Sequence, residues 1–186
     1  MVIRAFLIFL LIAIPFTAQA VEPIRFVPVR EKSEIRFEAT QNDVPVQGGF
    51  DSFAADIAFH PEALATSKVK ITVDMASVFA DYDEIAETLK TAEWFDSGDF
   101  PQAVLETESF TALGEQRYEA KATLSIKDHK MPVTLHFTLN AFNDTQANVS
   151  GEAILKRTDF GIGWEDTDSV KDDVKVKFSV MARAAE

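Results

Sequence analysis

Strict alternation of apolar and polar side chains runs through most of the chain and predicts β-strands. Ile35, Phe37 and Ala39 alternate with Glu34, Arg36 and Glu38. Phe53, Ala55, Ile57 and Phe59 share one face, as do Val69, Ile71, Val73 and Met75. Tyr118, Ala120, Ala122, Leu124 and Ile126 repeat the pattern, and Val133, Leu135, Phe137, Leu139 and Ala141 follow. Ala147, Val149, Gly151, Ala153 and Leu155 come next, and Val174, Val176, Phe178, Val180 and Ala182 end the series. Weaker strands are predicted around 24–29 and 102–110. One helix interrupts the pattern near 81–89. Asp81 can cap it, with Glu84 three residues on as the reciprocal partner of a capping box. Tyr82, Ile85, Ala86 and Leu89 form its apolar stripe.

About eight antiparallel strands, each with one apolar face, need a cover that one short helix cannot supply. Either two sheets pack as a sandwich or one sheet closes into a barrel. Long strands that follow one another at hairpin spacing favour a meander barrel, which also removes exposed edges. The expected fold is therefore all-β: an antiparallel eight-stranded barrel with one short helix. No internal repeat or linker divides it.

The first twenty residues read differently. Arg4 precedes an uninterrupted apolar run over 5–14, Pro15 breaks it, and Ala18 and Ala20 supply the small residues a signal peptidase reads. Residues 1–20 are expected to be a cleaved signal peptide, because the run is about half the ~20 residues a membrane span needs. Residues 21–186 then form the mature domain, and its location is expected to be the bacterial periplasm.

Composition narrows the function. The chain has 18 Lys+Arg against 30 Asp+Glu, a net charge of −12. Removing residues 1–20 takes one Arg and no acid, which leaves −13 (17 against 30). Such acidity disfavours nucleic acid as a partner, because binding requires Lys and Arg to replace phosphate counterions. With no Cys among 186 residues, thiol catalysis, Cys-ligated zinc and disulfides are excluded. Sixteen Phe against two Trp and two Tyr supply apolar area without polar tips. An eight-stranded barrel can hold one small ligand or fill itself with side chains. Small residues on the inward faces (Ala120, Ala122, Ala141, Ala147, Gly151, Ala153) leave room for a hydrocarbon. The alternative is a solid interior in which Ala interdigitates with Phe.

A resemblance sharpens this. Ser33-x-Ile35-x-Phe37, Val46-x-Gly48-x-Phe50, Ser67-x-Val69-x-Ile71 and Ser77-Val78 occur in that order. After the helix come Trp94-Phe95-Asp96 and Phe100-Pro101, then Leu124-Ser125-Ile126-Lys127, Pro132-Val133-Thr134-Leu135 and Arg157-x-Asp159-Phe160-Gly161-Ile162. In order and spacing these resemble the YceI-like family of periplasmic, lipocalin-like, polyisoprenoid-binding proteins, over nearly the whole mature chain. The resemblance implies a lipocalin-like barrel with an elongated apolar cavity for an isoprenoid lipid, and binding or transport rather than catalysis. Thr40 stands where the family often has His, and Asp128-His129 where it often has Gly. The segment 161–167 is similar to members found beside cytochrome b561-type membrane proteins, which implies an isoprenoid quinone as a ligand and a membrane cytochrome as a partner.

No catalytic or metal constellation emerges. His60, His129 and His136 have no metal-ligand spacing, the acidic clusters at 81–84 and 165–168 lack the order of a calcium loop, and there is no nucleophile elbow. No cofactor is expected. The residues expected to line a ligand are Phe37, Ile57, Ile71, Val73, Leu124, Leu135, Phe137, Leu155, Phe160 and Phe178, with Arg157 at one end. Alternation from Ala153 and Leu155 points Arg157 inward, where its guanidinium could meet a phosphate or quinone oxygen; a salt bridge with Asp159 or a nearby acid is the alternative. The functions in view are a carrier for an isoprenoid lipid and a filled-barrel module that modulates a membrane redox partner. An enzyme acting on the apolar ligand is a third, and a homodimer stays open.

Overall fold

The computed structural model describes residues 20–164, 166 and 168–185; the expected signal peptide therefore lies almost wholly outside the described residues. Eleven strands and one helix follow in order: β1 (Ile24–Pro28), β2 (Glu34–Gln41), β3 (Val44–Phe50), β4 (Phe53–Phe59), β5 (Lys68–Asp74), β6 (Val78–Ala80), α1 (Asp83–Leu89), β7 (Gln102–Gly114), β8 (Arg117–Ile126), β9 (His129–Asn143), β10 (Gln146–Lys156) and β11 (Asp173–Ala184). All pairings are antiparallel.

Eleven segments occupy eight positions around a closed barrel. β11 pairs β1 through Phe26–Ala184 and, further along the same strand, β2 through Phe37–Val176. The first position is thus one long strand broken in the middle. β4 and β3 form the second position in the same way, paired to β1 and β2 respectively. β5 and β6 form the third. From β7 to β11 the strands are unbroken and meander back to the start.

Serine side chains stitch the breaks. The Ser33 hydroxyl donates to Val29 O at 2.8 Å, while the Met181 amide donates to Ser33 Oγ at 3.1 Å. Ser52 N–H donates to Ser77 Oγ at 3.0 Å. Short polar side chains of this kind replace ladder bonds where the backbone turns out of the sheet. The result is a belt of bends that lets the sheet curl closed without leaving orphaned backbone groups.

The helix differs from its expected start. It begins at Asp83, and its N-cap Tyr82 makes no side-chain capping bond and is 66% exposed. Asp81 is used elsewhere: its carboxylate accepts from Gln47 N–H at 2.9 Å, and its own N–H donates to Gln47 O. Ala86 and Leu89 carry the buried face.

One expected inward residue also moves. The register between β9 and β10 shifts between Asn148 and Val149, leaving one extra residue in β9. Leu139 is buried, Ala141 points to solvent, and Phe142 takes the inward place. A bulge cannot be seen in alternation alone, because it shifts the face of every later residue.

Candidate functional site

The two ends of the barrel differ. At one end the aromatic rings of Phe26, Phe59, Phe110, Tyr118, Phe137 and Phe142 form a solid plug. Phe59 meets Phe110 edge-on at 5.4 Å and Phe142 at 6.3 Å, and Tyr118 stacks on Phe137 at 5.3 Å. Edge-to-face and offset contacts of this kind are the favoured geometries for aromatic rings. Next to the plug, Ala120 and Ala122 are almost fully buried against Leu135, Phe110 and Phe137. These alanines interdigitate with aromatics and leave no free space. Gly151 does the same: a Cβ there would lie 2.5 Å from Phe178 Cζ and 2.7 Å from Phe137 Cβ.

The other end is hollow. A cavity of about 190 Å³ lies between β2, β5 and β7 to β11, lined almost wholly by carbon. Alternate residues of each strand supply its wall, as the two-residue repeat of a strand dictates: Ile35, Phe37 and Ala39 from β2, Ile71 and Val73 from β5, Ala103 and Leu105 from β7. Leu124 and Ile126 come from β8, Val133 and Leu135 from β9, Ala153 and Leu155 from β10, and Val174, Val176, Phe178 and Val180 from β11. From Val174 to Val180 a strand rises about 20 Å, or about 15 Å along the axis at the usual tilt near 40°.

The mouth is covered by connections rather than strands. β6 pairs with β3 alone, so the ladder is not continued between β6 and β7 at this end. Helix α1 packs on β6 there, and Trp94 and Phe95 follow it inward. The β10–β11 connection brings Phe160, Ile162 and Val170 across the opening. Gly163 makes this closure feasible: a Cβ at that position would lie 2.8 Å from the Trp94 ring. A second cavity of about 120 Å³ adjoins the first, between the β2–β3 hairpin and α1. It shares Phe37, Ala39, Leu89, Trp94 and Val170 with the main cavity and adds Gln41, Val46, Ile85 and Thr88.

Arg157 points inward as alternation requires, is 3% exposed and borders the cavity. Its guanidinium binds neither Asp159 nor open space. Nε donates to Lys171 O at 3.1 Å, and Nη1 to Ile162 O at 2.8 Å and to Gly163 O. Nη2 donates to Val170 O at 2.7 Å and to Asp166 O. Five N–H donors meet five backbone carbonyls, the full donor count of an arginine. The Asp166 and Asp172 carboxylates add attraction at longer range, and the Trp94 ring lies 5.8 Å from Cζ. Arg157 therefore holds the shape of the connection that roofs the cavity.

Nearby side chains tie down the same roof. Ser169 donates through its amide and its hydroxyl to the Asp166 carboxylate, which holds that carboxyl below its ordinary value. Lys171 Nζ lies 2.9 Å from Asp43, and this contact lowers the Asp43 pKa. His129 opens β9 with its ring against Gly161, and Nδ1 sits 2.8 Å from Asp128. His136 is exposed on the outer face of β9. Among the described residues, no three His, Cys, Asp or Glu side chains gather as a metal site.

Phe37, Ile71, Val73, Leu124, Leu135, Leu155 and Phe178 border the cavity wall, and Phe160 its roof. Ile57 and Phe137 do not. Ile57 packs with Phe26 and Phe59, and Phe137 stacks on Tyr118, both at the plugged end. They share a face with cavity residues but lie too far along the barrel. Val174, Val176 and Ile126 line the cavity too, and carry the same alternation signal as the expected residues beside them. Leu89, on the apolar stripe of α1, also borders the cavity, and so do Ile162 and Val170, which sit in a loop where no periodicity marks them.

The YceI-like domain family matches residues 26–182. The chain belongs to that family. Its curated YceI-like relatives include a UPF0312 protein of Vibrio campbellii, 24% identical over 157 residues, which cover 81% of this chain and 82% of that one. With a UPF0312 protein of Vibrio parahaemolyticus the identity is 24% over 122 residues, and the chain spans 65% of that relative's length. Among solved structures, BcnA of Burkholderia cenocepacia superposes with a TM-score of 0.78 at 29% identity, over 83% of this chain and 98% of that one. A polyisoprenoid-binding domain from Saccharophagus degradans superposes at 0.71 with 16% identity, over 87% and 99% of the two chains. At that identity the likeness establishes the YceI-like barrel and nothing beyond it.

Proposed function

We propose that this protein binds and carries a single isoprenoid lipid, seated chain-first in the barrel, and acts as a carrier rather than as an enzyme. The observation that carries this reading is the carbon-lined cavity, closed by a plug at one end and roofed by loops at the other. An extended prenyl unit spans four carbon–carbon bonds of ~1.5 Å, or about 5 Å, so about 15 Å of cavity takes roughly three units. Fifteen carbons buried at about 0.8 kcal/mol each yield about 12 kcal/mol gross. Association costs about 4–15 kcal/mol, so three units support affinities of about micromolar at best, and longer chains bind tighter only if more of their length is covered.

The leader pattern over residues 1–20 and the acidic mature chain support a periplasmic location. The Saccharophagus domain, described as polyisoprenoid-binding, shares the barrel and supports the same class of ligand. An isoprenoid quinone is one such ligand. Mass spectrometry of organic extracts from protein purified out of its own cell envelope tests the proposal. A stoichiometric isoprenoid is expected. Lipid-free protein that also fails to bind farnesol, polyprenols or ubiquinone-type compounds would sink it.

A further inference from the structure

The cavity adjoins a smaller one with a polar edge, set in a charged surround, and both bear on which head group it accepts. The side cavity beside the main one is edged by Gln41, whose amide can donate and accept, and by Thr88, both neutral. The Thr88 hydroxyl donates to Glu84 O at 2.7 Å and keeps its oxygen lone pairs as acceptors. Arg157 is the single ionisable group among the described residues that line either cavity, and its five N–H groups are all held by carbonyls. A phosphate reaching this end would find no free guanidinium.

The surround is unfavourable to an anion as well. The helix that supplies Thr88 carries Asp83, Glu84 and Glu87 in its seven residues. Lysines at this end are already engaged: Lys90 with Glu87 at 2.8 Å, Lys171 with Asp43 at 2.9 Å, and Lys127, which donates to Ala92 O at 3.1 Å. A charged head group placed here loses its hydration, meets like charges and gains no cation in exchange.

We infer that the site selects by head-group charge: it takes isoprenoid chains that end in a neutral oxygen function, an alcohol or a quinone-type carbonyl, and rejects the phosphorylated form of the same chain. The head group sits in the side cavity against Gln41 and Thr88. This rests on the carrier reading above and goes further by naming the chemistry of the polar end.

Farnesol and farnesyl phosphate share one chain of three prenyl units and differ only at the head. Their binding can be followed by fluorescence of Trp94, which lines both cavities, in a W164F variant that leaves it the sole tryptophan. At neutral pH and low salt the phosphate is expected to bind at least about tenfold more weakly than the alcohol. The gap should narrow as salt screens the acids, and narrow again in a D83N/E84Q/E87Q variant. The salt series on the otherwise unchanged chain stands on its own if that variant folds poorly. Q41L with T88V should weaken farnesol but not a saturated hydrocarbon of the same length. Phosphate binding equal to or tighter than alcohol binding overturns the inference while leaving the carrier reading intact. Failure of both ligands to bind overturns both.

Discussion

Replacing Arg157 by Lys tests whether this buried cation serves the fold or the ligand. Lysine keeps the charge but offers three N–H groups in place of five. Two of the carbonyls now served by the guanidinium, from among Lys171, Ile162, Gly163, Asp166 and Val170, lose their partner. A buried acceptor left unsatisfied costs about 1–3 kcal/mol, so Arg157→Lys should destabilise by about 2–4 kcal/mol once partial solvation of the loop is allowed for. At about 2–4 °C per kcal/mol for a domain of this size, Tm falls by roughly 5–15 °C. Arg157→Met removes all five donors together with the charge, and should lose at least as much. Urea denaturation measures the stability. Hydrogen exchange locates it: the Ile162 amide, which donates to Arg157 O, and the Lys171 amide, which donates to Thr40 O, should lose protection before the plugged end does. A Lys variant within about 0.5 kcal/mol of the parent, a shift usual for an inconsequential surface change, with unchanged exchange in 161–171, would refute the reasoning.

Three further outcomes follow from the contrast between the two ends. Ala122→Leu, in the filled layer, should cost about 1–3 kcal/mol through overpacking, whereas Ala103→Leu, on the cavity wall, should cost less and instead reduce farnesol capacity in the fluorescence titration. Phe59→Ala, which removes a ring that meets four other aromatics, should cost about 3–5 kcal/mol in denaturant unfolding and leave the cavity wall unchanged. The roof should loosen in acid. The Asp166 and Asp43 carboxyls both titrate below their ordinary range, through Ser169 and Lys171 respectively. Their contribution is complete above the unfolded carboxylate value near 4 and fades as pH falls through the lower folded values. Exchange protection of 161–171 should therefore be flat above about pH 5 and decline below about pH 4, and Ser169→Ala should move the start of that decline upward.

Much of the fold is legible in the sequence because a closed barrel writes its wall as alternation. The period of two alone puts Phe37, Ile71, Leu124 and Phe178 on the inner face; long strands at hairpin spacing favour the barrel, and the apolar stripe at 82–89 marks its α-helix. What alternation cannot encode is position along the axis. Ile57 and Phe137 obey the same rule as Leu124 yet end in the plug, because depth depends on strand stagger and not on face. A bulge in β9 exchanges Ala141 for Phe142 with no signal in side-chain type. The roof is hidden for a different reason. Ile162 and Val170 are held by a loop whose shape depends on the Arg157 guanidinium and its carbonyls, and a single arginine after an apolar run does not announce five backbone partners.

The aromatic plug makes the barrel a blind tube with one usable opening. On the carrier reading proposed above, a chain goes in tail first and comes out head first, so the polar end is the last part to be covered and the first to be released. Any acceptor, whether a membrane or another protein, has to face the helix-lined mouth and meets the head group before it meets the chain. Delivery from such a vessel is a reversal along a single track, with loading and unloading competing for the same doorway.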